Sequence, residues 1–390
     1  MSTTLREQSL NKLESFISNG LAYYSSKRNY DLGPSDRTNI SLLSPYIRKR
    51  ILHEKEVINK CLKHHSLNKI EKFIQEVFWR VYWKGWMEGR VRVWQNYNKN
   101  LRSLISEYSF GEKKDNYNTA LNGKTGIDCF DDWIKELINY GYLHNHSRMW
   151  FASIWIHTLK LPWELGANFF LKNLVDGDPA SNTLSWRWVA GLHTKGKCYV
   201  ASEDNIKKFS NGRYLQKNIL NKEISLPEFQ SFIFEKKQFD TQNFSKKNNL
   251  ILLNINNLSY LDETIQMMKE NYICFINHDE VYNYSDLPRK FNKTSIDEYI
   301  SFLNTKKIEC KTFSNFENFF SFFEKSEFSK VFTFYPSIGY ELDFLNLQFK
   351  KFGINLNFIY DEFDTLCWEH ASSGFFKFKT KIPDFVSQIN

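Results

Sequence analysis

The chain has 390 residues, 42% of them hydrophobic and 17% aromatic, which is enough for two or three domains with large cores. It has no apolar run long enough to cross a bilayer and no export signal in its polar first residues, so we expect no membrane partner. The six cysteines stand singly, without a Cys-x-x-Cys pair, which argues against a metal site and fits a reducing cytoplasm.

The net charge of +8 is unevenly distributed. Residues 1–225 contain 34 Lys and Arg against 22 Asp and Glu, whereas residues 226–390 contain 18 against 22. Ten of the eleven tryptophans also lie in the first part. A basic half rich in aromatic residues is typical of proteins that bind and stack on nucleic acid. An AT-rich genome would produce a similar composition, so charge alone leaves both interpretations open.

Residues 1–221 predict an all-helical domain, because few of their segments alternate with the period of two that strands require. The segment 126–161 predicts two helices that meet at Gly141. The segment 161–175 predicts a helix with Pro162 in its first turn, where proline is favoured.

Residues 222–248 are polar and irregular, which predicts a linker. Residues 249–390 then predict an α/β domain with a five-stranded, parallel, Rossmann-like sheet, because short apolar runs alternate with helical stretches. No GxGxxG or GxxxxGK[ST] motif follows any of the apolar runs that we predict to be strands. A dinucleotide site or a Walker-type phosphate site is therefore not indicated in this domain. The apolar runs are 250–256, 272–277, 308–313, 330–335 and 354–360.

Side chains that suit a planar ligand with polar edges lie in the helical part. In a predicted helix at 66–90, Glu76, Trp79, Arg80 and Trp83 follow the i, i+3, i+4, i+7 spacing of one helix face. An amphipathic helix with a salt-bridged edge would show the same spacing, so this face alone does not establish a site.

Two further groups strengthen the case for a site. Asn145, Arg148 and Met149 repeat the i, i+3, i+4 relation on a later helix. The stretch LVDGDPASNTLSWRW (174–188) mixes acids, an amide and indoles, and we expect Arg148 to pair with its first acid. The polar candidates in this stretch are Asp176, Asp178 and Asn182.

Together these motifs resemble the flavin-binding domain of the cryptochrome/photolyase family. The similarity covers about the first 215 residues and follows the family's order of motifs. The matching pieces are SLLSPYIRKR (41–50), QEVFWRVYW (75–83), NGKTGIDCFDDWIKEL (122–137), GYLHNHSRMW (141–150), LPWELGANFF (161–170) and LVDGDPASNTLSWRW (174–188).

The resemblance implies FAD as the cofactor, active in its reduced, anionic form. Asn182 matches the amide that faces flavin N5, where an amide adds no second negative charge. The whole set of residues that the resemblance assigns to FAD is Tyr30, Ser41, Leu42, Leu43, Ser44, Gln75, Arg80, Arg148, Asp176, Asp178 and Asn182.

The resemblance also implies a photoreduction chain of tryptophans. Trp186, which we expect to point away from the flavin, matches the first member, and Trp163 matches the second. Phe110 stands where the third tryptophan is expected, so Trp94 or Tyr108 would have to replace it.

Within the family, the pocket residues are most similar to those of cyclobutane pyrimidine dimer photolyases. Enzymes for (6-4) lesions have histidines at the positions of Asn145 and Met149, and light sensors commonly have Asp or Cys at Asn182. The resemblance therefore implies a lyase that repairs ultraviolet-damaged DNA by electron transfer from excited reduced FAD. Its substrate-contacting residues would be Glu76, Trp79, Asn145, Met149 and Trp188.

Two other functions remain open on the sequence: a blue-light flavin photoreceptor without repair activity, and a DNA-binding protein that has lost its cofactor. The basic segments 48–50 and 195–197 are candidates for phosphate contacts or are simply solvated. We expect a cytoplasmic monomer without a metal.

The order of the domains departs from the family pattern. Family members usually carry an α/β antenna domain before the flavin domain, whereas here the α/β pattern follows it. The stretch WEHASSGFFKFKTKIPDF (368–385) resembles the segment that closes the antenna domain. We therefore hypothesise a circular permutation, with an unrelated α/β module as the alternative. No antenna chromophore can be identified from the residues.

Overall fold

The computed structural model describes residues 3–215, 218–224, 227–239, 244, 247–278 and 283–389. The first part is helical, as predicted. Its helices are α1 (Leu5–Asn19), α2 (Tyr24–Lys27), α3 (Ser44–Arg48), α4 (Glu54–His64), α5 (Leu67–Glu88), α6 (Val91–Glu107), α7 (Gly111–Leu121), α8 (Asp128–Tyr140), α9 (Asn145–Ser153), α10 (Trp163–Asn173), α11 (Pro179–Val189) and α12 (Glu203–Phe209).

Local signals explain where several of these helices begin and end. Helix α8 ends at Gly141, which has a φ of 62° and so takes the left-handed conformation that glycine adopts most easily. Helix α11 begins after Asp178, whose side chain accepts a hydrogen bond from the Ser181 N–H, with Pro179 as its first residue. Pro162 lies one position earlier than predicted: it precedes α10 with a ψ of 134°, outside the helix.

The second part forms a five-stranded parallel sheet with the strand order β3-β2-β1-β4-β5, which confirms the predicted fold class. All five predicted runs contain a strand, each shorter than its apolar run. The strands are β1 (Leu250–Leu252), β2 (Tyr272–Ile276), β3 (Cys310–Phe313), β4 (Val331–Phe334) and β5 (Leu356–Ile359). The helices are α13 (Asp262–Lys269), α14 (Asp286–Thr305), α15 (Phe316–Phe323), α16 (Tyr340–Lys351), α17 (Glu362–Trp368), α18 (Phe375–Phe378) and α19 (Ile382–Ile389).

The two parts of the chain share one hydrophobic core. Helix α17 packs so closely on α5 that a Cβ atom built on Gly85 would lie 2.6 Å from Trp368 Cδ1. Glu88, at the end of α5, is buried and accepts hydrogen bonds from Lys237 Nζ at 2.6 Å, Tyr335 Oη at 2.8 Å and the Ile338 N–H at 2.8 Å. A carboxylate of the helical part therefore fixes the loop that follows β4.

The predicted linker 222–248 lies partly outside the described residues, and its described residues form no helix or strand. It nevertheless contacts both parts: the Glu235 N–H donates to the Gly89 carbonyl oxygen, and the Phe239 ring lies 5.0 Å from that of Tyr360. The domain boundaries themselves remain a prediction. None of the helices in the described residues is long and apolar enough to cross a membrane.

The segment 48–50 is buried, which contradicts both of its interpretations, phosphate contact and a solvated face. Arg50 pairs with Asp361 at 3.1 Å and with Asp364 at 2.6 Å, both near the start of α17. Arg48 donates to the Gly177 carbonyl oxygen. These guanidinium groups are buried against acidic and carbonyl oxygens from distant parts of the chain, which removes them from contact with DNA.

Candidate functional site

A cavity of about 790 Å³ lies in the helical part, lined by residues of α3, α5, α9 and α11. It brings together most of the residues that the sequence assigned to a flavin or a substrate. Those that line it are Ser41, Leu42, Leu43, Ser44, Glu76, Trp79, Arg80, Asn145, Arg148, Met149, Asp176, Asp178, Asn182, Trp186 and Trp188.

Three assigned residues do not line this cavity. The Tyr30 ring packs 5.2 Å from Phe209, and Gln75 donates a hydrogen bond to Glu71. Trp163 packs 5.5 Å from Tyr97.

The cavity also has lining residues that sequence reasoning missed. Tyr24 and Arg28, one turn apart in the chain, lie there in place of Tyr30, and Gly374, Phe375 and Phe376 come from the other end of the chain. A YxxxR spacing on the α2 segment was a usable signal for the first pair. No local signal exists for the last three, because only the fold brings them to the cavity.

One wall of the cavity is built around Asp176. The expected ion pair is present: Arg148 Nη2 donates to Asp176 Oδ2 at 2.9 Å. Ser44 Oγ donates to the same oxygen at 2.6 Å. Burial raises the pKa of Asp176, but the charges and hydrogen bonds of Arg148 and Ser44 outweigh it, so the pKa lies below its ordinary value. Asp176 is therefore a fixed negative charge.

Asp178 forms a second fixed charge beside it. Its Oδ1 accepts from the Ser181 N–H at 2.8 Å, and its Oδ2 lies 3.4 Å from Arg48 Nε. Burial acts to raise the pKa of Asp178, yet the charges of Arg48, Lys84 and Arg80 hold it at about 2. The wall thus combines two carboxylates with several buried cations.

Some buried polar atoms at this wall have no hydrogen-bond partner among the described residues. They are Asp176 Oδ1, Arg80 Nη1 and Ser181 Oγ. Burying such atoms unpaired costs free energy, so an acceptor, a donor and a hydroxyl facing the cavity call for a ligand that offers both kinds of partner. FAD does so through its phosphates, ribityl hydroxyls and flavin ring edge. The residues present therefore fit FAD.

The rim of the cavity contains a second ion pair. Arg28 Nη1 donates to Glu76 Oε1. Burial raises the pKa of Glu76, and the positive charge of Arg28 opposes this only in part. Glu76 is therefore able to share or hold a proton more readily than an ordinary glutamate.

Two tryptophans expose aromatic faces near this rim. The Trp79 ring stacks on Phe375 with centroids 3.5 Å apart and planes 13° from parallel. Trp188 stacks on Tyr199 at 5.3 Å. Each indole is thus held on one side by another ring.

Trp186 lines the same cavity as Asn182, which corrects our expectation that it points away. Residues at i and i+4 share one helix face, so the two side chains of α11 reach the same space. Trp186 also packs 5.1 Å from Phe170 and 6.3 Å from Trp155. Its position remains compatible with electron transfer.

The third tryptophan of the expected chain has two candidate substitutes in the structure. Phe110, at the matching position, is 69% exposed. Trp94 packs 5.3 Å from Tyr97, which in turn packs on Trp163. Tyr108 instead contacts Tyr117 at 6.0 Å. Trp94 is thus linked by ring contacts to the second expected member, whereas the ring contacts of Tyr108 lead through Tyr117 to Trp155.

Comparisons with known proteins find relatives of the helical part of the chain. Residues 73–231 match the family model described as the FAD binding domain of DNA photolyase. A deoxyribodipyrimidine photo-lyase of Agrobacterium fabrum is 31% identical over 185 residues, which is 47% of this chain and 37% of that protein. The enzyme of the same name from Alkalihalophilus pseudofirmus is 28% identical over 222 residues, covering 54% of this chain and 43% of that protein.

A solved structure, the bacterial class III photolyase from Agrobacterium tumefaciens, is 27% identical and aligns with a TM-score of 0.42 over 53% of this chain and 42% of that one. The matched region spans about two fifths of the length of the curated relatives. By this match and the order of its motifs, the helical part of the chain is similar to the FAD-binding domain of the cryptochrome/photolyase family.

Proposed function

We propose that this chain is a DNA photolyase that splits cyclobutane pyrimidine dimers under blue light. The observation that carries the proposal is the single cavity that unites a wall fitting FAD with Glu76, Trp79, Asn145, Met149 and Trp188 at its rim. The relatives named deoxyribodipyrimidine photo-lyase support it.

Arg80, Arg148 and the Ser41–Ser44 segment would hold FAD, with Asp176 and Asp178 fixing the orientation of its polar edges. Leu42 has a φ of 54°, an uncommon conformation for a leucine, which turns the backbone of this segment at the cavity wall. Reduced FAD, when bound, supplies an electron after absorbing light. Asn182 would stabilise the reduced, anionic form, because its amide brings no negative charge of its own.

The dimer has to leave the double helix to reach this cavity, and a damaged pair is cheaper to extrude than an intact one. Trp79 and Trp188 would then pack against the extruded pyrimidines, since indole faces stack on any base. Glu76, with its raised pKa, would hydrogen-bond the pyrimidine edge, and Arg28 would stabilise its charged form. Lys195 and Lys197 are exposed and are our candidates for phosphate contacts.

The test is a repair assay on the purified protein. We expect bound FAD by absorption, and loss of dimers from ultraviolet-irradiated oligo(dT) under blue light but not in the dark. Trp79→Ala should lower the repair of dimers while FAD stays bound. If reduced FAD is present and illumination removes no dimers, the repair proposal is wrong and a photoreceptor role takes its place.

We further propose that the α/β part is a permuted antenna domain. Arg6, near the start of the chain, donates to Glu56, and Asn59, one turn along α4, donates to the carbonyl oxygen of Ile389. The two described ends therefore meet on one helix, where a short connection could exchange the order of the parts. We also infer a cytoplasmic location, because all six cysteines are free. The monomeric state stays a prediction.

A further inference from the structure

The segment that ends at α18 contributes an exposed aromatic side chain to the cavity. Phe376 lines the cavity and yet is 79% exposed, whereas its neighbour Phe375 is buried. The space beside the segment is open, because a Cβ atom built on Gly374 would meet nothing within 4 Å. Single exposed apolar side chains are common on protein surfaces, so a binding role has to follow from the position of Phe376 at the cavity and from its surroundings.

The backbone that carries Phe376 is firmly held. Tyr82 Oη donates to the Ser373 carbonyl oxygen at 2.9 Å, and Arg90 Nη2 donates to the Ser372 carbonyl oxygen at 2.7 Å. The stack of Phe375 on Trp79 fixes the segment from the other side. Phe376 is therefore a rigidly mounted projection beside one of the two indoles that we assign to the substrate.

The surface around Phe376 is positively charged. Lys379 Nζ lies 5.4 Å from the Phe376 ring, and Lys377 is exposed next to it in the chain. Lys381 is also exposed, and Asp384 lies 3.3 Å from it. One aromatic ring among lysines matches a polyanion with stacked bases better than it matches an apolar protein surface.

We propose that Phe376 is a wedge that enters the DNA duplex at the gap left by the extruded pyrimidine pair. This inference rests on the proposed function. When two bases leave the stack, the hole between the flanking base pairs is apolar and its collapse would favour return of the dimer. An inserted apolar side chain fills such a hole and holds the bent duplex, as apolar wedges do in other DNA-binding proteins. Lys377 and Lys379 would contact the adjacent phosphates.

The test compares Phe376→Ala with Phe110→Ala, which removes a ring of similar exposure from outside the cavity. Binding is measured to three probes: a duplex with one thymine dimer, the same duplex undamaged, and a single strand with one dimer. We expect Phe376→Ala to weaken binding of the damaged duplex roughly tenfold, the scale of one lost base–aromatic stack. The loss on the single strand should be several-fold smaller, because that strand has no gap to fill. Phe376→Leu should restore most of the duplex affinity.

Three results would overturn the wedge. Equal losses on duplex and single strand would make Phe376 a wall of the cavity instead. An unchanged affinity in Phe376→Ala would remove its role altogether while leaving the photolyase proposal in place. A wild-type protein that does not prefer the damaged probes over the undamaged duplex would overturn the proposed function and the wedge together.

Discussion

At the scale of single residues, the partners of the polar side chains at the cavity decide which of their atoms can bind a ligand. Asn182 donates through its Nδ2 to the Ala167 carbonyl oxygen at 2.9 Å, which fixes the orientation of its amide. Asp176 and Asp178 already place two negative charges nearby. A third one would therefore act strongly on any anionic cofactor in this partly dry space.

We expect Asn182→Asp to make FAD harder to reduce, because the added carboxylate repels the anionic reduced form. The midpoint potential should become more negative by roughly 30 mV or more, which corresponds to about 1.4 kcal/mol for two electrons. Absorption during a titration with reductant measures it. Asn116→Asp, the same change at an exposed position of α7, should leave the potential unchanged. Equal potentials in both variants would disprove the role of this amide.

His144 gives a pH dependence at the same scale. Burial lowers its pKa to about 4, below the 6.5 of an unfolded histidine, against the opposing charge of Asp31. The unfolded chain therefore binds the proton more tightly, so the stability that neutral His144 contributes is complete above pH 6.5 and is lost as the pH falls towards 4. His144→Asn keeps the cap of α9 and should flatten the unfolding free energy across this window in urea titrations. An identical pH profile in the variant would show that other groups dominate.

At the scale of elements, close packing of α17 on α5 depends on the absence of one methyl group. Gly85→Ala would favour the helix by up to about 1 kcal/mol, but its Cβ would lie 2.6 Å from Trp368 and 2.9 Å from Ala371. We expect the clash to win, with a net loss of roughly 1–3 kcal/mol in the free energy of unfolding. Gly374→Ala, where the space is open and φ is −66°, is the matched control and should be near neutral. A more stable Gly85→Ala would mean that α17 shifts freely.

The elements were largely predictable, since they follow local patterns. All five strands lie within the predicted apolar runs, and α8 ends at the predicted glycine. Contacts between distant segments were not predictable. The arginines of 48–50 were candidates for phosphate contacts or for a solvated face. Their burial was missed because the partners of Arg50, Asp361 and Asp364, follow in the chain only after the whole sheet. Phe375 was missed at the cavity for the same reason. It is far from Trp79 in the chain, and no local pattern around Trp79 predicts the ring that stacks on it.

At the scale of the whole molecule, Glu88 couples the helical part to the sheet. Glu88→Ala would leave Lys237 and Tyr335 without their buried carboxylate, which should cost roughly 3–5 kcal/mol. Chemical denaturation followed by fluorescence measures the loss. The control is Glu317→Ala, which removes an exposed, 3.8 Å pair with Lys351 and should change stability by less than about 0.5 kcal/mol. Equal effects of the two variants would show that Glu88 does not couple the two parts.

The meeting of residues 6 and 389 on α4 has a consequence for synthetic forms of this molecule. A peptide bridge that joins these positions would strain the native backbone little, because they already lie close to one helix. It would lower the conformational entropy of the unfolded chain. The cyclised chain should consequently melt at a higher temperature than the linear form. Opening the cyclised chain at other peptide bonds would give circular permutants. Those that fold would show which order of segments the fold tolerates.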